Sequence, residues 1–556
     1  MDPKLQDLMS HYREGDLSRR EFMRAAGVLG LSISGMAAFL SGCSSDATTT
    51  TAASTATTAA GETTTTAAAG AAKRGGTIFH AQPPAQRMDP AFFATIGDDS
   101  LGRQWLEQLV FLDEDSMPDP ERSLAESWEA APDGKTYTFR IRQGVTFHDG
   151  KPLTSADVKF SFDRLRDPDV GSAVVSLYAN VASIDAPDDF TVVFNLTEPN
   201  PDFPLDLTDY HAKVVDSATT DFDTQFNGTG AFKLDTFAAG DRGILSPAPN
   251  YWMQGDDGQP LPYATALEHI FLEDPTAQVD ALRGGQAHYL TYVSAEFAKP
   301  LEDDPAISVP SKTSNVHFAF YMRSDRGPAA DVKVRQALRA ATDRNALLQV
   351  AAQGFGATGR DTPIGPVYGD FYLDVPEPVR DIATAKSLLA DAGYADGLEI
   401  TLTTQNTLKV PDMATIWKEQ LAEAGVTVNI ELVPVEVWYG ADNLWLEADF
   451  GIVDWAPRAY PQPYLSLAYM TGAPWNSPHY SDPELDELAT KAGMELDRTK
   501  RIDYYHQIQE IFMDRGPLMV PYFADAIVAF RNEMKPGLIP NSAPDNIDVR
   551  DQWLEG

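Results

Sequence analysis

From Ser44 to Ala72 the chain is almost wholly Thr, Ala, Ser and Gly, including the run Thr63-Thr64-Thr65-Thr66. A tract with so little apolar bulk cannot repay the entropy of ordering it. Any packed core is therefore built from about Lys73 onward. As a flexible coil the tract reaches about 30 Å, the length of a tether. Behind it stand more residues than the roughly 250–300 that a single hydrophobic core accommodates, so at least two packed units are expected. Hydrophobic residues make up 43% and charged residues 22%, as in ordinary globular proteins.

The formal charge of −38, from 43 Lys and Arg against 81 Asp and Glu, repels phosphate backbones and anionic headgroups. Nucleic acid is excluded as a partner. The acidity reads as a solvated surface and selects no cationic substrate. A single cysteine, Cys43, leaves no intramolecular disulfide to form.

Ahead of the tether, Ser18-Arg19-Arg20-Glu21-Phe22-Met23-Arg24 precedes an apolar, small-residue run from Ala25 to Leu40. This resembles a twin-arginine export signal, with Arg19 and Arg20 as the pair that is read. The run is shorter than the roughly 20 residues of a permanent membrane helix. Leu40-Ser41-Gly42-Cys43 resembles a bacterial lipobox, which implies a lipidated Cys43 as the mature N-terminus and stable anchoring by several acyl chains. The expected plan is 1–43 signal, 44–72 linker, 73–314 first lobe, 315–520 second lobe and 521–556 return to the first.

Within 73–314 the pattern is strand-rich. Tyr137 to Arg142 alternates apolar with polar behind an Asp133-Gly134 turn, which predicts a hairpin. Thr191 to Leu196 is a second strand, and Ala156 to Leu165 has helical spacing behind a Ser155/Asp157 start. Beyond residue 315 helix and strand alternate. Helices are expected over Asp331–Gln353, Asp381–Ala392 and Asp412–Ala424, with strands at 398–402 and 426–432, a βαβ rhythm. Pro517 to Pro521 is the expected return hinge.

Leu124-Ala125-Glu126-Ser127-Trp128, Asp133 to Phe139, and Gly144-Val145-Thr146-Phe147-His148-Asp149-Gly150-Lys151-Pro152-Leu153-Thr154 resemble the signature of the peptide/nickel-type extracellular solute-binding proteins. Gly228 to Leu234, Asn250-Tyr251-Trp252, Val334-Arg335-Gln336-Ala337, Ala341 to Arg344 and Ala385 to Leu389 continue it in order, from about 76 to about 535. The resemblance implies a two-lobed α/β fold of the periplasmic-binding-protein type (type II, cluster C), with the ligand in the cleft between lobes. It implies a monomeric receptor, lipid-anchored outside the cytoplasmic membrane or in the periplasmic space, that delivers a small molecule or peptide to ABC permease subunits. Neither catalysis nor a cofactor is implied.

In peptide-binding members an acidic residue shortly after a second-lobe tryptophan pairs with the ligand's ammonium. Here Asp454-Trp455-Ala456-Pro457-Arg458-Ala459-Tyr460 keeps the tryptophan and places Arg458 or Ala459 where the carboxylate belongs. A guanidinium repels an ammonium and forks onto a carboxylate, so the preferred charge is inverted unless Arg458 faces solvent or pairs with Asp454 or another acid. A second family anchor, for the ligand carboxylate, falls in Gln405-Asn406-Thr407-Leu408-Lys409, which has no arginine. The expected ligand is a peptide-sized solute, anionic or polyhydroxylated, stacked on Trp455 and Tyr460, oriented by Arg458, and bordered by Asn406, Lys409 and Tyr321.

Gly354-Phe355-Gly356-Ala357-Thr358-Gly359 spells a dinucleotide motif but follows a helix and leads to Pro363, the wrong context. The nine histidines have no paired spacing, so no metal site is expected. A secreted cleft hydrolase with a dispersed triad, or a sensing receptor without transport, are the alternatives.

Overall fold

A computed structural model describes residues 72–113, 115–440, 443–538 and 547–555. Arg19, Arg20, Cys43 and the tether as far as residue 71 lie outside the described residues. Among those described, no helix is long and apolar enough to cross a membrane.

The first lobe is built on two sheets. The strand Thr77–Gln82 pairs in parallel with Ala266–Phe271 inside a seven-stranded sheet. That sheet also holds Phe232–Ala238, Arg242–Pro247, Tyr289–Leu290, Ile307–Ser308 and, from the far end of the chain, Ala529–Arg531. A four-stranded antiparallel sheet joins Ala125–Ala130, Thr136–Ile141, Thr191–Leu196 and Val181–Asp188. The predicted hairpin is there: Tyr137, Phe139 and Ile141 point into the core while Arg140 is exposed, and Gly134 takes the φ of +66° that its turn requires. The helix Ser155–Arg166 starts at a capping box in which Asp157 reaches back to the Thr154 amide.

The second lobe centres on the long strand Ser311–Met322, with Phe450–Trp455 on one side and Tyr522–Ile527 on the other. Side chains alternate across this strand. Phe320 and Met322 enter a core with Trp417 and the helices Val332–Ala340 and Val410–Ala422. Ala319 and Tyr321 enter a second core with Tyr464, Tyr505 and Phe512.

Three expectations need correction. The segment 331–353 is two helices, Val332–Ala340 and Arg344–Ala352. Asp343 accepts from the Ala346 amide and so opens a new helix where continuous periodicity predicts one. The crossing back to the first lobe does not lie at Pro517–Pro521, because Leu518–Met519 is still paired with Ser311–Met322. The chain leaves the first sheet between Ser308 and Ser311 and returns between Ile527 and Ala529. At that point the Val528 amide donates to Pro310 O at 3.2 Å. Tyr321 does not border a cleft: it is 1% exposed, and its hydroxyl donates to Trp445 O at 2.7 Å.

Candidate ligand cleft

Three strands of the second lobe end side by side. Leu398–Gln405 and Val426–Val433 run parallel, register for register, to the Gln405↔Val433 pair. Thr404 Oγ1 donates to Ile452 O at 3.1 Å and sets the end of Phe450–Trp455 beside them. Carboxyl ends of neighbouring parallel strands are where open α/β sheets place ligands, since the loops leaving them diverge.

Trp455 closes its strand in an aromatic nest, its ring 5.4 Å from Tyr464 and 5.9 Å from Trp475. It is only 6% exposed, and its Nε1 has no hydrogen-bond partner among the described residues. The backbone around Arg458 is fixed at both ends of its peptide: its amide donates to the Tyr464 hydroxyl at 3.0 Å, and its carbonyl accepts from Tyr368 at 2.8 Å. No acid within ion-pair distance faces its guanidinium among the described residues, and the buried Nε has no acceptor. Asp454, the nearest acid in sequence, is engaged elsewhere. Its Oδ1 accepts from Gln405 Nε2 at 2.6 Å and from the Tyr439 hydroxyl at 2.7 Å.

The other predicted residues are distributed differently from expectation. Asn406 is exposed at the strand end, its amide on Val433 O. The Lys409 ammonium donates to Glu296 at 2.7 Å, so its charge is spent on the first lobe and not held free for a ligand. Tyr460 makes no stack among the described residues; its hydroxyl donates across the lobes to Asp206 Oδ1 at 2.5 Å. Asn200 donates to the other oxygen of Asp206 at 2.7 Å. Burial pushes the Asp206 carboxyl up to about 7, with Asp202 adding to the rise against the Tyr460 and Asn200 hydrogen bonds. Beside it, Arg501 of the helix Arg498–Arg515 forms a buried ion pair with Asp202.

Sequence reasoning missed Tyr439, Asp206, Asp202 and Arg501. Each acts through a partner remote in the chain, and no local spacing marks it. Two surface concavities of about 340 and 500 Å³ lie elsewhere in the second lobe and are lined by none of the six predicted cleft residues.

Residues 119–477 match the family described as bacterial extracellular solute-binding proteins, family 5 Middle. The glutathione-binding protein GsiB of Pectobacterium atrosepticum is 27% identical over 410 residues, which is 70% of this chain and 77% of the relative. In fold the chain is similar to HbpA2 from Haemophilus parasuis, with a TM-score of 0.77 at 22% identity over 86% of this chain and 100% of the other. It is also similar to a nickel ABC transporter structure from Bacillus halodurans, with a TM-score of 0.72 at 25% identity over 85% and 98%. With a match across most of both lobes, the chain belongs to the family 5 bacterial extracellular solute-binding proteins.

Proposed function

We propose that this chain is the ligand-capturing receptor of an ABC importer and that its solute carries an acidic group, met by Arg458. Family membership supports the receptor function, since members bind solutes and deliver them to permeases. The observation that carries the ligand reading is the guanidinium of Arg458, just beyond the end of Phe450–Trp455 on a backbone held by Tyr464 and Tyr368, with no acid in ion-pair distance among the described residues. A partly buried guanidinium left without a counter-charge loses solvation for nothing in return, and a ligand carboxylate restores the balance.

A peptide-sized solute of the glutathione kind, with carboxylates at its ends, has the required charge and is the first compound to test, given the relative's name. Lobe boundaries at the two crossings, near 309–310 and 528, let the halves swing about the Pro310–Val528 contact. Lipidation of Cys43 after twin-arginine export would hold the mature receptor over its permease on the 44–72 tether. A hydrolase reading finds little support: a hydroxyl–imidazole contact, Thr291 to His80 at 3.4 Å, is buried in the seven-stranded sheet.

The test is isothermal calorimetry with glutathione and with whatever solute elutes from the purified protein on denaturation. Binding that weakens at least about tenfold in Arg458→Ala supports the reading. Unchanged affinity in Arg458→Asp removes it.

A further inference from the structure

The chain crosses between the lobes near 309–310 and at 528, yet the lobes also meet through side chains at a pair of buried acids. Asp202 caps the short first-lobe helix Phe203–Asp206, and Asp206 ends it. From the second lobe the Tyr460 hydroxyl donates to Asp206 Oδ1 at 2.5 Å, and Arg501 pairs with Asp202. Leu496, just ahead of the helix Arg498–Arg515, lies against Gly134 of the first-lobe hairpin. These contacts are made by side chains, so a rotation that opens the lobes about the Pro310–Val528 contact pulls them apart.

Charge is balanced at one acid and not at the other. Arg501 supplies the counter-charge of Asp202. Asp206 has neutral donors, the Tyr460 hydroxyl and the Asn200 amide at 2.7 Å, and no Lys, Arg or His pairs with it among the described residues. Asp202 and Asp209 add like charge, and Asp209 is itself engaged by His211 at 2.7 Å. Arg498 acts on Asp202 and pairs with Asp370. The other ionisable neighbours are the phenols of Tyr137, Tyr178, Tyr460 and Tyr505. Burial pushes all four up, so none gives up a proton where Asp206 does. A buried carboxylate that faces like charge without a cation takes a proton instead, and Oδ1 can donate it to the Tyr460 oxygen. Drawn apart, the lobes return Asp206 to water, where the proton leaves near the ordinary 3.8 and not at about 7.

We propose that Tyr460 and Asp206, braced by Arg501 and Asp202, form a latch that closes the lobes with uptake of one proton, so that capture of the solute is linked to acidity. This rests on the receptor reading above. The coupling runs through one loop. Tyr460 lies two residues beyond Arg458, and Gln462 of the same loop accepts from the hydroxyl of Tyr505, on the helix that carries Arg501, at 3.3 Å. Proton and solute stabilise the same closed state, so each raises the affinity for the other.

The test is small-angle scattering of the full chain, stripped of solute, at pH 8 and at pH 5.5, with the proton as the only ligand. The ratio of closed to open molecules should rise at least about tenfold from the higher pH to the lower, and the radius of gyration should fall with it. Asp206→Asn, a neutral group of nearly the same shape, should lose most of that change. Tyr460→Phe, without the oxygen that meets Asp206, should be more open than wild type at pH 5.5. A general loss of surface charge acts alike on wild type and Asp206→Asn, so the difference between them reads the latch. A wild-type radius equal at both pH values, or a wild-type shift kept in full by either variant, overturns the latch. The receptor reading then still stands or falls by its own calorimetry with solute.

Discussion

The Tyr460 hydroxyl and Asp206 Oδ1 meet at 2.5 Å, one side chain from each lobe, at a carboxyl that burial holds up to about 7. An unfolded Asp206 ionises near 3.8. Between about 4 and 7 the unfolded chain therefore gives up this proton while the folded chain keeps it. The stabilising contribution of the protonated group is complete below about 4, is lost as the pH rises to about 7, and changes no further above that. Its ceiling is about 4 kcal/mol. The melting temperature of Asp206→Asn should rise relative to wild type between pH 4.5 and pH 8; a constant gap contradicts the assignment.

Arg501 and Asp202 are 7% and 6% exposed, so removal of one strands the other in a poor solvent. Arg501→Met is expected to cost about 3–5 kcal/mol in chemical denaturation. Adding Asp202→Leu should recover most of that loss, because the pair as a whole repays little more than its own desolvation. A double variant no better than the single one is the contrary result.

Among the described residues Arg458 has no ion pair to lose, and its anchoring hydrogen bonds run through its backbone. Arg458→Ala should therefore shift stability by less than about 1 kcal/mol while weakening solute binding at least about tenfold. Loss of both together would make the residue structural.

The seven-stranded sheet buries His269 against His80, Nδ1 to Nδ1 at 3.2 Å, and Gln82 holds His269 at 2.8 Å. Burial pulls the His269 imidazole down to about 3 from 6.5. The unfolded chain takes up this proton first, so the contribution is present above about 6.5 and is lost as the pH falls toward 3, the opposite sense to Asp206. His269→Gln should flatten the fall in melting temperature between pH 6.5 and 4.5; an unchanged slope contradicts this.

Local alternation made the hairpin around Asp133-Gly134 and the strand Thr191–Leu196 of the four-stranded sheet readable, but not Val181–Asp188. Tyr137, Phe139 and Ile141 face one way, and Asp133-Gly134 supplies the turn. The family motifs carried the two-lobed fold. Legibility failed where a side chain's partner is distant in the chain. Periodicity ran through Thr342-Asp343, where a capping bond breaks the helix. The return crossing moved because Leu518–Met519 and Tyr522–Ile527 both pair with a strand some two hundred residues earlier. Tyr321 alternates correctly, but onto a core face and not a cleft wall. Trp455 and Arg458, at the candidate cleft, stand out in the sequence as a motif and its departure, whereas the hydrogen bonds of Gln405 and Tyr439 to Asp454 exist only once three strand ends converge.

The central claim is mechanical: two lobes joined at Pro310 and Val528 close on a solute. Small-angle scattering of the protein stripped of solute, and again after the solute that eluted from it is restored to saturation, tests it most directly. A smaller radius of gyration with solute, at unchanged mass, is the predicted result. Curves that superimpose while calorimetry shows the solute bound would contradict the account.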